Sequence, residues 1–190
     1  MKKGKWLILL LIFIITIYVF HPIIMKKLFP IPFEGIIMKH SQEYEVDPYL
    51  IASIIKVESN YDPYAQSSKD ARGLMQVLPS TGKWAAEELD LKKFYTEELY
   101  VPEINIQIGT WYIQKLNQQF HGNIHLVIAA YNGGSGNISK WLEDERYSKD
   151  GKNLEYIPFE ETRNYIEKVL FYYDLYRRIY DVHEFKEENY

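Results

Sequence analysis

Apolar residues are unevenly spread along this chain: one block runs from Trp6 to Phe20, and later ones recur mostly at intervals of three and four. The block follows a basic tip of Lys2, Lys3 and Lys5 and continues less purely through His21 and Pro22 to Met25. About twenty apolar residues of helix span a bilayer core. No small-x-small cleavage site follows, and the residues after Tyr18 are bulky, which favours a retained anchor over a removed signal peptide. Residues 1–27 are therefore expected to form an N-terminal transmembrane helix, with the short tip inside and the rest of the chain displayed outside. Residues 28–35, with Pro30 and Pro32, read as a stiff spacer.

From residue 36 onward the spacing predicts a mainly α domain over 36–182, followed by a polar tail over 183–190. Asp47 as N-cap and Pro48 at the first helical position open a helix that runs to Glu58. Further helices are expected over Ile36 to Tyr44, Pro79 to Leu89, Pro102 to Phe120, and Ile124 to Tyr131, the last stopped by Gly133 and Gly134. The longest covers Glu160 to Tyr180 and lines up Tyr165, Val169, Tyr172, Tyr173 and Tyr176 as a buried stripe. Between Glu58 and Pro79 the chain is rich in Ser, Asp, Asn, Pro and Gly and reads as irregular; a loop that long in a small domain is often functional.

Composition narrows the chemistry. A length of 190 residues leaves room for one compact domain behind the anchor. With 17 Tyr, 9 Phe and 4 Trp the chain is unusually aromatic, and flat rings with polar tips suit sugar binding. A net charge of -4 argues against a nucleic-acid partner. Zero Cys removes disulfides, thiol catalysis and thiolate metal sites. His121 and His125 are four apart, but Gly122 breaks the helix between them, and no glycine-rich phosphate loop is present. Neither a metal nor a cofactor is called for.

On the helix from Pro48, Ile51, Ile54 and Ile55 form an apolar face, and the next step of three or four residues lands on Glu58. Partial burial and the negative end of the helix dipole both disfavour a charged carboxylate there and raise its pKa. A carboxylic acid kept protonated near neutral pH is what protonation of a departing sugar oxygen requires. A surface glutamate that merely ends the helix has the same local pattern.

The residues that follow separate the two. Glu58, Ser59, Asn60, Tyr61, Asp62 and Pro63, with Ala65, Ser67 and the run Ala71 to Gln76, resemble the signature of the soluble lytic transglycosylase family. Ala129 to Gly133 resembles its alanine-tyrosine-asparagine segment, and Ile157 to Phe159 with Glu161 to Arg163, Tyr165 and Ile166 its last block. Pro102, Asn105, Ile106 and Gly109 fit between them. The resemblance implies a lysozyme-like, mainly α domain that acts, as a monomer, on peptidoglycan glycan strands, with Glu58 as the single catalytic acid and base. It implies substrate contacts at Ser67, Met75 in the groove wall, Gln76, Tyr131 and Asn132, and a Tyr165 hydroxyl approaching the glutamate. The implied product is a 1,6-anhydromuramyl end, formed when the substrate's own C6 hydroxyl attacks. Two departures stand out: Asp70 replaces the family's usual Gly, and Gly133 its frequent Ala. Two rival readings are a hydrolase similar to goose-type lysozyme, in which Asp70 or Asp62 would hold a water, and a catalytically idle peptidoglycan-binding module.

Overall fold

Proline and capping chemistry set where the helices begin. In the computed structural model, which describes residues 20–180 together with Leu11 and Ile17, Asp47 Oδ1 accepts the Tyr49 N–H at 2.8 Å and Pro48 occupies the first turn of its helix. The elements are α1 (Glu34–Tyr44), α2 (Pro48–Glu58), α3 (Pro79–Glu88), a 3-10 turn (Thr96–Tyr100), α4 (Pro102–Gln119), α5 (Ile124–Gly133), α6 (Ser135–Leu142) and α7 (Glu160–Ile179). Among the described residues there are no strands, only the bridges Gln66 to Arg72 and Arg72 to Val77 inside the loop after α2. The mainly α expectation holds.

The described residues fall into two compact units, one drawn from residues up to Ile31 and from Leu175 onward, the other spanning Pro32–Asp174. In the first, the Tyr180 hydroxyl donates to the Phe29 carbonyl at 2.9 Å and Lys26 lies 5.4 Å from the Tyr180 ring centroid. The expected membrane helix lies largely outside the described residues; among those described, no helix is long and apolar enough to cross a membrane.

Within Pro32–Asp174, α4 packs against α1, α3, α5 and the 3-10 turn. Ile51, Ile54 and Ile55 of α2 are fully buried, so the apolar face read from the sequence is the core face, with about 2 kcal/mol gained per side chain. Helix α7 is tied to both ends of α2 by phenols. The Tyr165 hydroxyl donates to Glu58 Oε1 at 2.7 Å, and the Tyr173 hydroxyl donates to Asp47 Oδ2 at 2.8 Å. Asp47 thus caps α2 with one oxygen and anchors α7 with the other.

Two expectations need correction. Tyr172 and Tyr173 are half-buried rather than core, because Tyr173 lies along the α2 end with its hydroxyl at the Asp47 carboxylate; Tyr165, Val169 and Tyr176 are buried. Helix α6 was not anticipated after two glycines. Gly134, at φ 84 and ψ 132, breaks the chain for one residue and serves as the N-cap of α6.

The loop after α2 has little regular backbone pairing, and one buried side chain holds it. Asn105 of α4 accepts the Met75 N–H at 2.7 Å and donates to the carbonyls of Arg72 at 2.8 Å and Leu99 at 2.6 Å. Gly73, at φ 74, is required beside it: a Cβ there would stand 2.1 Å from the Leu99 carbonyl oxygen and 2.5 Å from Asn105 Nδ2. Replacing Asn105 by Ala strands three backbone groups, each costing about 1–3 kcal/mol when left unpaired. The variant is expected to lose roughly 3 kcal/mol or more in urea unfolding; a loss under about 1 kcal/mol would mean that the loop is held by something else.

Candidate active site

Glu58 is the last residue of α2, where the chain leaves the helix and the core face runs out. The turn after it is pinned, since the Ser59 hydroxyl donates to the Leu74 carbonyl at 2.8 Å and so joins the end of α2 to the loop that Asn105 holds. Burial pushes the Glu58 carboxyl up to about 7; the Tyr165 hydroxyl pulls it back in part, and the negative charge of Glu161 adds to the rise. Burial also pushes the phenols of Tyr131 and Tyr165 well above their ordinary value, with the Glu58 charge acting in the same direction.

Glu58 opens into a pocket of about 320 Å³ with a mixed polar and apolar wall. Four of the residues expected to contact a ligand, Ser67, Gln76, Tyr131 and Asn132, line it together. Their hydrogen bonds decide what each can offer. Gln76 Nε2 donates to the carbonyls of Ala65 at 3.0 Å and Gly73 at 2.9 Å, which spends both amide protons and leaves Oε1 as an acceptor. Ser67 Oγ accepts from the Lys69 and Ala71 N–H groups at 3.2 and 3.0 Å, which leaves its O–H to donate. Asn132 Oδ1 accepts the Thr162 hydroxyl at 2.8 Å, so its amide N–H groups are the ones available. The Tyr131 hydroxyl donates to the Met75 carbonyl at 2.8 Å, so the phenol braces the loop and presents its ring.

Met75 stands differently from its expected place in the groove wall. Its side chain is fully buried, seated against Gly109, where a Cβ would come within 2.4 Å of the sulfur. Its part in the site is through its backbone, bonded on one side to Asn105 and on the other to Tyr131. Tyr165 lies where the resemblance put it, against the glutamate.

The departures have physical accounts. Asp70 is taken up by Arg72, with contacts of 3.0 and 3.1 Å, and by Gln66 Nε2 at 2.6 Å, which hold its carboxyl below the usual range; it does not line the pocket. Asp62 is likewise absent from the wall. At Gly133 a Cβ would approach the Thr162 hydroxyl to 3.1 Å, crowding the bond that orients Asn132. The carboxylate that does join Glu58 in the pocket wall is Glu161, in the first turn of α7. Sequence reasoning placed Glu161 in a matching block but gave it no role, because an acidic residue in a first helical turn is ordinary. Tyr112 and Thr81, also in the wall, carried no local signal.

The family model described as Transglycosylase SLT domain matches residues 35–154. The chain is 33% identical over 155 residues to the soluble lytic murein transglycosylase of Escherichia coli strain K12, covering 80% of this chain and 24% of that protein. It is 32% identical over 172 residues to the membrane-bound lytic murein transglycosylase C of Cronobacter sakazakii, covering 76% and 46%. Among solved structures, the lytic transglycosylase Slt of Pseudomonas aeruginosa superposes with a TM-score of 0.71 at 33% identity, over 82% of this chain and 26% of that one. The chain therefore spans between about a quarter and a half of the length of these relatives.

The raised Glu58 carboxyl has a measurable cost. Below pH 4.5 it is neutral folded or unfolded; between 4.5 and about 7 the unfolded chain releases the proton while the folded chain keeps it, so stability falls as pH rises and levels off above about 7. Glu58→Gln removes that slope. Its stability relative to the parent is expected to rise by up to about 3 kcal/mol between pH 4 and pH 8. Thermal unfolding of both proteins at the two pH values checks this, and parallel pH dependences would contradict a buried, raised Glu58.

Proposed function

The chain belongs to the transglycosylase SLT domain family, and we propose that it cleaves the glycan strand of peptidoglycan as a lytic transglycosylase with Glu58 as its one acid and base. The observation that carries this reading is a carboxyl raised to about 7, hydrogen-bonded to a buried tyrosine, in the wall of an open pocket lined by both polar and apolar groups. The lysozyme-like fold of the family accommodates this chemistry.

In this reading the protonated Glu58 donates its proton to the glycosidic oxygen while the bond from that oxygen to C1 of the muramyl sugar breaks. Positive charge gathers at C1 and the ring oxygen, and the substrate's own N-acetyl group helps to stabilise it. The C6 hydroxyl of the same sugar then closes on C1, and the Glu58 carboxylate takes its proton, which regenerates the acid. No water is consumed. Because the attack is intramolecular it gains an effective molarity of about 10⁵ M or more, so the pocket need only hold the ring in the right pucker. Tyr165 is a positioning residue that fixes Oε1 and leaves Oε2 to carry the proton. The Ser67 hydroxyl and the Asn132 amide would donate to sugar oxygens, Gln76 Oε1 would accept from an N-acetyl N–H or a hydroxyl, and Tyr131 would wall the ring.

Hydrolysis, as in goose-type lysozyme, is the second reading. Glu161 in the pocket wall favours it as a carboxylate that could hold a water, whereas Asp70 and Asp62 do not line the pocket. Product mass separates the two. Digests of purified cell wall should contain fragments ending in 1,6-anhydromuramyl residues, one water (about 18 mass units) lighter than hydrolysed ends, and Glu58→Gln should lose activity by at least about 10²-fold, the low end of what a positioned acid contributes. Predominantly reducing ends would make the enzyme a hydrolase; wall binding without cleavage by the parent would leave only an idle module.

We propose further that residues 1–27 tether the domain to the cell membrane on its outer side, supported by the basic tip and the apolar run. One of the similar proteins is described as membrane-bound. Protease added to intact protoplasts is expected to remove the domain from the full chain; a domain protected from protease, or a soluble mature form starting near Phe29, would contradict the tether.

A further inference from the structure

A row of aromatic rings leads out of the pocket. Tyr131 and Tyr112, both in the pocket wall, have ring centroids 5.6 Å apart. Tyr112 is in turn 6.3 Å from Trp84 of α3, which also meets Trp111 of α4 at 4.7 Å. Both of Trp84's ring contacts are near-perpendicular, at 79° and 71°. The row begins beside Glu58 and ends at the surface: Trp111 is 3% exposed, whereas Trp84 is 44% exposed. Thr81, one turn earlier on α3, lines the pocket, so residues three apart on one helix face connect the pocket edge to Trp84.

A single exposed apolar side chain is common and needs no explanation. Trp84 differs in two respects. It is held in place by Trp111 and Tyr112 without being covered by them, so little ordering entropy would be lost when something stacks on it. Its surroundings are also not those of a broad apolar patch, because the other exposed residues of α3 are Ser80, Lys83, Glu87 and Glu88. A large flat ring in a polar surface, continuous with a pocket of mixed polar and apolar wall, matches a pyranose: the weakly positive C–H face of the sugar meets the negative face of the indole, and its hydroxyls stay in water.

We propose that Trp84 is a distal glycan subsite, on which an N-acetylhexosamine ring of the same strand stacks beyond the ring held at Glu58. The subsite rests on the glycan-cleaving reading above. It makes affinity depend on strand length, because a ligand must first fill the pocket before its next rings reach α3.

The full chain carrying Glu58→Gln, which holds ligands without turning them over, provides the test, with chito-oligosaccharides from the trimer to the hexamer as probes. Affinity is expected to climb with length, and adding Trp84→Ala should remove roughly threefold to tenfold of the hexamer's gain, the worth of one stacked ring. Trp84→Phe should restore part of it. The deciding readout needs no change at Trp84: oxidation of exposed tryptophans by N-bromosuccinimide, mapped by peptide mass spectrometry, should spare Trp84 when the hexamer saturates the protein. A saturated complex in which Trp84 is oxidised as fast as in the free protein overturns the subsite and leaves the Glu58 reading standing. If no oligomer of any length binds, the glycan reading itself fails, and the subsite with it.

Discussion

A carboxyl group drawn largely out of water at the end of a helix needs a partner within the protein, and Glu58 is held by the hydroxyl of Tyr165. Each neighbouring arrangement serves that bond. The isoleucine face of α2 carries the glutamate to the edge of the core, and the second phenol, Tyr173 on Asp47, fixes the far end of the same helix against α7. Two hydroxyls eight residues apart on one helix, about 12 Å along its axis, thus span most of an eleven-residue partner. The pair sets both position and angle, which a single contact could not do. Holding the carboxyl largely out of water costs folding free energy.

The opposite side of the pocket is built from backbone. Asn105 spends its whole amide on three main-chain groups, Gly73 admits the close approach of the Leu99 carbonyl, and Gly109 makes room for the Met75 sulfur. Side chains then face the pocket with one polarity each, because the other is already committed: Gln76 as acceptor, Ser67 as donor, Asn132 as donor. Their orientation is set by hydrogen bonds within the protein.

Much of this was legible in the chain. Asp47 with Pro48, and the prolines at 79 and 102, mark helix starts by local chemistry alone, and the step from Ile55 to Glu58 places an acid at the end of a buried stripe. What escaped was decided by long-range contact. Helix α6 starts from Gly134, a residue type that more often stops helices. An apolar Met75 in a functional motif reads as a wall residue until the packing against Gly109 shows that its main chain matters and its side chain is core. Asn105 fitted a pattern without revealing a role, since its partners lie up to 33 residues away. Glu161 was hidden by its ordinary position in a first helical turn. Tyr172 and Tyr173 share the spacing of their buried neighbours but sit at the margin of the α2 contact, which periodicity does not distinguish.

The Glu58 to Tyr165 bond joins residues 107 apart in the chain. At a ribosome adding about 5–20 residues per second, roughly 5–20 seconds separate the synthesis of the acid from that of its partner. Until α7 emerges and docks, Glu58 lacks the hydroxyl that holds Oε1. That bond is therefore among the later contacts the chain completes as it is made, and truncation before the final helix yields a chain that carries Glu58 without its partner.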